Sequence, residues 1–203
     1  MHGRMAHGVD ESKRATLRRF AALGAASPFV GVLEGGTDSD ARPAIVGYLE
    51  TTPGAHFSKL RDDLGLGTGE TQHHLRRLLD AGVVESRRDG DYRRFFPAGR
   101  FSVFEQTALG YLRRGTPRGM VIELLRHPGA SGSDLAAALD VSPPTISKYA
   151  AELVDAGLLE RDPGYRLLHS ETLLVLLVRY AESFDVQAVA LAGDAADLIR
   201  LQE

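Results

Sequence analysis

Gln72-His73-His74-Leu75-Arg76-Arg77-Leu78-Leu79-Asp80-Ala81-Gly82-Val83-Val84 joins a helix to the start of a hairpin. Thr71, Leu75, Leu78 and Leu79 recur three and four residues apart, the spacing of one helical face, and Ala81-Gly82 ends that helix. Val83-Val84-Glu85-Ser86 then begins an extended run. Arg87-Arg88-Asp89-Gly90-Asp91 holds an Asp-Gly turn signal before Tyr92-Arg93-Arg94-Phe95-Phe96, so a hairpin follows the helix. Upstream, Phe57, Leu60 and Leu64 predict a shorter helix closed by Gly65-Leu66-Gly67. Before it, Ile45, Val46 and Leu49 predict a first helix that stops at Pro53-Gly54.

The same series occurs twice. At a constant offset of 75, Pro53-Gly54-Ala55 matches Pro128-Gly129-Ala130, Leu60 matches Leu135, Leu64 matches Leu139 and Leu78 matches Leu153. Asp80-Ala81-Gly82 likewise matches Asp155-Ala156-Gly157, and Glu85 matches Glu160. That period is too long for a solenoid unit and fits two copies of one small domain. In the second copy Val121, Ile122 and Leu125 mark the first helix and Leu135, Ala138 and Leu139 the second. Ile146, Ala150, Leu153 and Val154 mark the third, with Ser142 as its N-cap before Pro143. A shorter hairpin turns at Asp162-Pro163-Gly164.

Three helices and a hairpin in this order, with a tight turn before the third helix, form the winged helix-turn-helix plan. The run from Gln72 to Val84, with the Arg-Arg-Phe-Phe-Pro end of the wing, resembles archaeal regulators of the broad ArsR/MarR-like winged-helix group. The tandem arrangement is similar to that of two-winged-helix regulators common in haloarchaea. The resemblance covers roughly 41–168. It implies binding to double-stranded DNA and control of transcription, but no target. The fold class expected is mainly α with small β wings: two tandem winged helix-turn-helix domains plus flanking N- and C-terminal helices.

Composition removes several chemistries. The 203 residues include no cysteine, so disulfides, thiolate nucleophiles, iron-sulfur clusters and cysteine-built zinc sites are excluded. The cysteine-rich metal site of metal-sensing relatives therefore does not carry over. His73-His74 suggests a metal, yet adjacent helical residues point about 100° apart, and one surface histidine beside a packed or phosphate-facing one is the plainer reading. The other histidines show no ligand spacing. No Gly-rich phosphate loop, Gly-x-Ser-x-Gly elbow or paired-carboxylate pattern is present, so neither catalysis nor a cofactor is expected.

The net charge of -3 says little as one number. Divided along the repeat, residues 41–100 hold ten basic and eight acidic side chains, +2, whereas 116–203 hold seven and thirteen, -6. The first copy is therefore the expected DNA reader. Outside its core face the third helix presents Thr68, Gly69, Glu70, Gln72, His73, Arg76 and Arg77, where a recognition helix meets the major groove. Gln72 has the pattern to read adenine and arginine the pattern to read guanine. Arg87, Arg88, Arg93 and Arg94 on the wing suit phosphates or the minor groove. The alternative is a solvated face whose arginines pair with Asp80, Asp89 and Asp91. In the second copy Ser142, Thr145, Ser147 and Lys148 face outward with one cation among them, which leaves open an auxiliary DNA contact or a winged helix used for assembly.

The organisation expected is an N-terminal helix and linker over 1–40, winged helices over 41–100 and 116–169, a connecting helix over 101–115, and C-terminal helices over 170–203. The connector has Phe104, Ala108, Tyr111 and Leu112 inward and is expected to pack on the first domain. Leu173 to Val178 is apolar all round and must be buried on more than one side, yet it is too short to span a bilayer. A last helix from near Asp185 to Leu201 carries Val186, Val189, Leu198 and Ile199. Together these suggest a homodimer, or a cover over a small-molecule effector. Arg18-Arg19 before an apolar stretch ending at Leu33 and the Gly-Gly-Thr-Asp-Ser-Asp linker looks superficially like a twin-arginine export signal. Phe20 directly after the pair and Gly24, Ser27, Pro28 and Gly31 within the stretch point instead to a helix, Glu11 to Gly24, packed on the body or on a partner chain of a cytoplasmic protein without a membrane partner, with membrane association as the alternative. The rival class is a non-catalytic assembly module whose arginines meet acidic protein surfaces.

Overall fold

The computed structural model describes residues 5–24 and 41–200. The apolar stretch beyond Gly24 and the linker at 35–40 lie outside the described residues. The chain divides into two compact units, Met1–Ser102 and Val103–Glu203.

In the first unit α1 (Met5–Gly24) lies along α2 (Ala41–Thr51). It begins well before Glu11, the start expected from sequence. Its inward stripe is Leu17, Phe20, Ala21 and Gly24, and Phe20 meets Tyr48 edge to face with ring centroids 5.3 Å apart. The crossing is close because Gly24 and Gly47 both lack side chains. A Cβ on Gly47 would stand 1.9 Å from the Phe20 carbonyl oxygen. Next come β1 (Ala55–His56), α3 (Phe57–Leu64), α4 (Thr68–Asp80), β2 (Val84–Asp89) and β3 (Tyr92–Pro97). The sheet order is β1-β3-β2, all antiparallel, with Arg88 opposite Arg93 and Asp89 opposite Tyr92, so the turn itself is Gly90-Asp91. Ile45, Leu49, Leu60, Leu64, Leu75, Leu78 and Val83 form the core.

The second unit opens with α5 (Val103–Leu112), followed by α6 (Gly115–Arg126), α7 (Gly132–Ala138), α8 (Pro143–Asp155), β4 (Leu159–Glu160) and β5 (Arg166–Leu167). It ends with α9 (Ser170–Arg179), a single 3-10 turn and α10 (Val186–Arg200). The helix expected to lie on the first domain is α5, and it packs here instead, on α6 and α9. Its inward residues are Ala108, Leu109 and Leu112; Phe104 and Tyr111, both expected inward, are half-buried. In α9 the run is buried at Leu173, Leu174, Leu176 and Leu177, while Val175 is 60% exposed. Asp185 caps α10, its Oδ1 accepting the Ala188 N–H at 3.0 Å. Two arginines clamp that junction. Arg118 donates to Asp185 and, at 2.8 Å, to the Leu112 carbonyl, and the Arg113 guanidinium lies 4.3 Å from the Phe184 ring centre.

The repeat is obeyed by the backbone. α4 and α8 have bounds 75 residues apart at both ends. Gly65 ends α3 at φ 63°, with Leu66 N–H bonded to Arg61 O at 3.0 Å; Asp140 repeats this at φ 51°, with Val141 N–H bonded to Ala136 O at 3.1 Å. Gly82 and Gly157 close the two third helices at φ 67° and 71°. Mostly helical units with small antiparallel sheets are the fold expected. Among the described residues no helix is long and apolar enough to cross a membrane.

Candidate nucleic-acid interface

The α4 helix turns Thr71, His74, Leu75 and Leu78 into the core, leaving Thr68, Gly69, Gln72, His73, Arg76 and Arg77 exposed. Gly69, Gln72, His73 and Arg76 follow the three- and four-residue spacing of one outward stripe. The Thr68 hydroxyl accepts from Arg61 Nη1 at 3.4 Å. His73 and His74 divide as the plainer reading expects, the first exposed and the second buried. Among the described residues no group of histidines and carboxylates could hold a metal ion.

Glu70 departs from its expected place on the outward face. Its Oε2 accepts the Gly67 N–H at 3.1 Å, closing the start of α4 where Gly67 has no side chain to do so. The same oxygen meets Lys13 Nζ of α1 at 3.2 Å. Partial burial pushes this carboxyl up, but the Gly67 N–H and the Lys13 ammonium outweigh it and hold it below the usual carboxylate range. A side chain engaged in this way is a structural cap rather than a free contact.

The wing divides its four arginines. Arg88 and Arg93 are exposed and Arg87 half-buried, with Arg93 Nε donating to Ser86 Oγ at 2.9 Å. Arg94 corrects the sequence reading: it is only 3% exposed, donates to Asp89 and to Gly54 O at 3.0 Å, and sits 5.5 Å from the Tyr92 ring centre. It ties the wing to the end of α2 and cannot reach a phosphate. His56 completes this corner, stacked at 5.0 Å on Tyr92, its Nδ1 accepting the Lys59 N–H at 3.3 Å to cap α3. Burial, then Arg94 and Lys59, pushes the His56 imidazole below its ordinary value.

Charge pairing separates the two units. Among the described residues Arg76, Arg77, Arg87, Arg88 and Arg93 form no ion pair, so their charge is directed at solvent. Of the pairing with Asp80, Asp89 and Asp91 that a neutral solvated face requires, the Arg94–Asp89 pair is formed, and among the described residues Asp80 and Asp91 pair with none of the other arginines of α4 and the wing. In the second unit Arg114 meets Glu152 at 3.1 Å, Arg126 meets Asp194 at 3.6 Å, and Arg118 and Arg166 pair with Asp185 and Glu160. Its α8 presents exposed Ser142, Ser147 and Lys148, and half-buried Thr145, whose hydroxyl lies 2.9 Å from that of Ser142.

Sequence reasoning missed the roles of Glu70 and Arg94. For Arg94 the signal existed: in a strand it shares a face with Phe96, a core residue. Burial of the adjacent Phe95 on the opposite face obscured it.

Comparison with known proteins agrees with this geometry. The HVO_0163-type N-terminal HTH domain matches residues 39–109, and the MarR family matches residues 118–165. An uncharacterized HTH-type transcriptional regulator of Methanocaldococcus jannaschii, MJ1398, is 25% identical over 132 residues, 64% of this chain. The aligned part is 33% of that relative's own length, so the chain spans about a third of it. Repeat, fold and the two adjoining family matches together show two tandem winged helix-turn-helix domains, similar to those of archaeal HTH-type regulators.

Proposed function

We propose that this protein is a sequence-specific, DNA-binding transcriptional regulator without catalytic activity, acting on the chromosome in the cytoplasm. The first winged helix is the reader: α4 enters the major groove with Gln72, His73, Arg76 and Arg77, and Arg87, Arg88 and Arg93 of the wing meet phosphates. The observation that carries this reading is five arginines on α4 and the wing without an ion pair among the described residues, beside a second unit in which Arg114, Arg118, Arg126 and Arg166 are paired. The names of the matched families and of the relative point the same way.

The second winged helix serves assembly, and the protein works as a homodimer through its C-terminal helices. Val175, Val186 and Val189 are 60%, 82% and 48% exposed on α9 and α10, which supports that use. An effector site fits the open cleft of about 670 Å³ in the second unit, bordered by Leu124, Leu125, Tyr165, Arg166, Leu167 and Ser170. Its size suits a small organic ligand.

The test is binding to genomic duplex fragments as salt is raised. Each lost phosphate contact lowers the logarithmic salt slope by about 0.9, so Arg87→Ala with Arg88→Ala reduces it by about 1.8. Arg76→Ala relaxes sequence preference, costing about 1 to 3 kcal/mol of discrimination, whereas Arg93→Ala weakens all sequences alike. Absence of duplex binding at low salt would refute the reading and favour a protein-assembly module.

A further inference from the structure

We propose that α1 is a third DNA-contacting element, its outer face carrying phosphate contacts at the end of α4 opposite the wing. This inference rests on the DNA-binding reading above. The helix lies outside both family matches, which begin at residue 39.

Three observations support it. The first is charge: α1 holds Lys13, Arg14, Arg18 and Arg19 against Asp10 and Glu11, a net +2 in 20 residues, as much as the whole of residues 41–100. The second is placement. Lys13 meets Glu70 at 3.2 Å, and Glu70 belongs to the first turn of α4, while β2 follows the last turn of the same helix. Thirteen helical residues span about 20 Å, so basic elements stand at both ends of the reading helix, spaced to meet phosphates on either side of one groove. The third is that α1 is held firmly enough to add binding energy rather than to trail. The Gly24 and Gly47 crossing, the Phe20 and Tyr48 contact and the Lys13 to Glu70 pair dock it along its length.

The outer face is cationic by pattern. Arg14, Arg18 and Arg19 are exposed, and Arg14 and Arg18 lie one turn apart on the same side. Neither Arg18 nor Arg19 forms an ion pair among the described residues, and Arg19 lies 5.9 Å from the Phe20 ring centre. An arginine in this state offers a planar fork to a phosphate at no cost of breaking an existing pair.

The experiment compares full-length protein with the Arg18→Ala/Arg19→Ala and Arg18→Gln/Arg19→Gln variants, measuring duplex affinity by fluorescence anisotropy across a salt series. The expected result is a salt slope lower by about 1.8 and an affinity about tenfold weaker near 0.2 M salt, with thermal unfolding unchanged because both side chains are exposed. If wild type binds duplex and the variants keep its slope and affinity, the α1 contact is overturned while the DNA reading stands. If wild type binds no duplex at low salt, the DNA reading itself fails. Phosphatidylglycerol vesicles provide the remaining arm: vesicle binding abolished in the variants while duplex affinity is unchanged would assign this face to a membrane surface and overturn the proposal.

Discussion

Arg94 Nη1 donates to the carbonyl oxygen of Gly54 at 3.0 Å, fastening the wing to the turn that ends the first helix of its domain. With Asp89 as its second partner, the guanidinium is 3% exposed and fully engaged. Arg94→Met removes the cation of a buried pair with Asp89 and takes a hydrogen bond from the Gly54 carbonyl, so stability falls by about 2 to 4 kcal/mol. Arg88→Ala and Arg93→Ala, at exposed positions, change it by less than about 0.5 kcal/mol. Urea denaturation separates the cases, and equal losses at all three positions would contradict the structural role assigned to Arg94.

His56 caps α3 through Nδ1, which accepts only while it is unprotonated. Its folded value lies below the ordinary 6.5, so the unfolded chain binds the extra proton first as pH falls. The contribution of this histidine to stability is complete above about pH 6.5 and is lost as pH drops from there through the folded value. His56→Asn keeps an N-cap acceptor without a titrating group. The stability of this variant declines less than that of wild type between about pH 7.5 and 5.5, and parallel profiles would show that His56 does not carry the dependence.

Asp140 holds φ 51° where the first copy places Gly65 at φ 63°. A side chain there carries strain of about 1 kcal/mol, which Asp and Asn tolerate better than most residues. Asp140→Gly therefore raises stability by no more than about 0.5 kcal/mol after the entropy of the glycine is counted, and Gly65→Ala lowers it by about 1 to 2 kcal/mol. Thermal melts of both variants test the pair, and a stabilising Gly65→Ala would count against the shared geometry.

Gly47 and Gly69 are both helical, and alanine has opposite effects at the two sites. At Gly69 nothing lies within 4 Å of a new Cβ, so the better helix former gains up to about 1 kcal/mol. At Gly47 the new atom would stand 1.9 Å from one backbone oxygen and 2.7 Å from the Gly24 nitrogen, and backbone cannot step aside as a flexible side chain can. The clash of about 1 to 3 kcal/mol exceeds the propensity gain, so α1 shifts or loosens on α2. Faster hydrogen exchange across 11–24 in Gly47→Ala, with Gly69→Ala unchanged or slower, is the expected pattern.

Local pattern carried the architecture. The matched third helices, the glycine turns at Gly82 and Gly157 and the hairpin after Val83 follow from apolar spacing and turn chemistry, which act within a few residues and so repeat wherever the sequence repeats. The exposed stripe of α4 was legible for the same reason: once Thr71, Leu75 and Leu78 are inward, Gln72, His73 and Arg76 have nowhere else to face.

The amino-acid sequence by itself determined two copies of a three-helix and hairpin unit, the more basic character of the first, and the absence of cysteine chemistry. Tertiary structure alone decided which charges remain available. Arg93 and Arg94 are neighbours of identical chemistry, yet one faces solvent and the other is consumed by Gly54 and Asp89, because partners 40 and 5 residues away converge on only one side of the strand. Glu70 caps α4 locally through Gly67, but it became the anchor of α4 to α1 only through Lys13, 57 residues upstream. Spacing along a chain specifies which face a side chain takes, whereas its free charge depends on what long-range folding brings to that face.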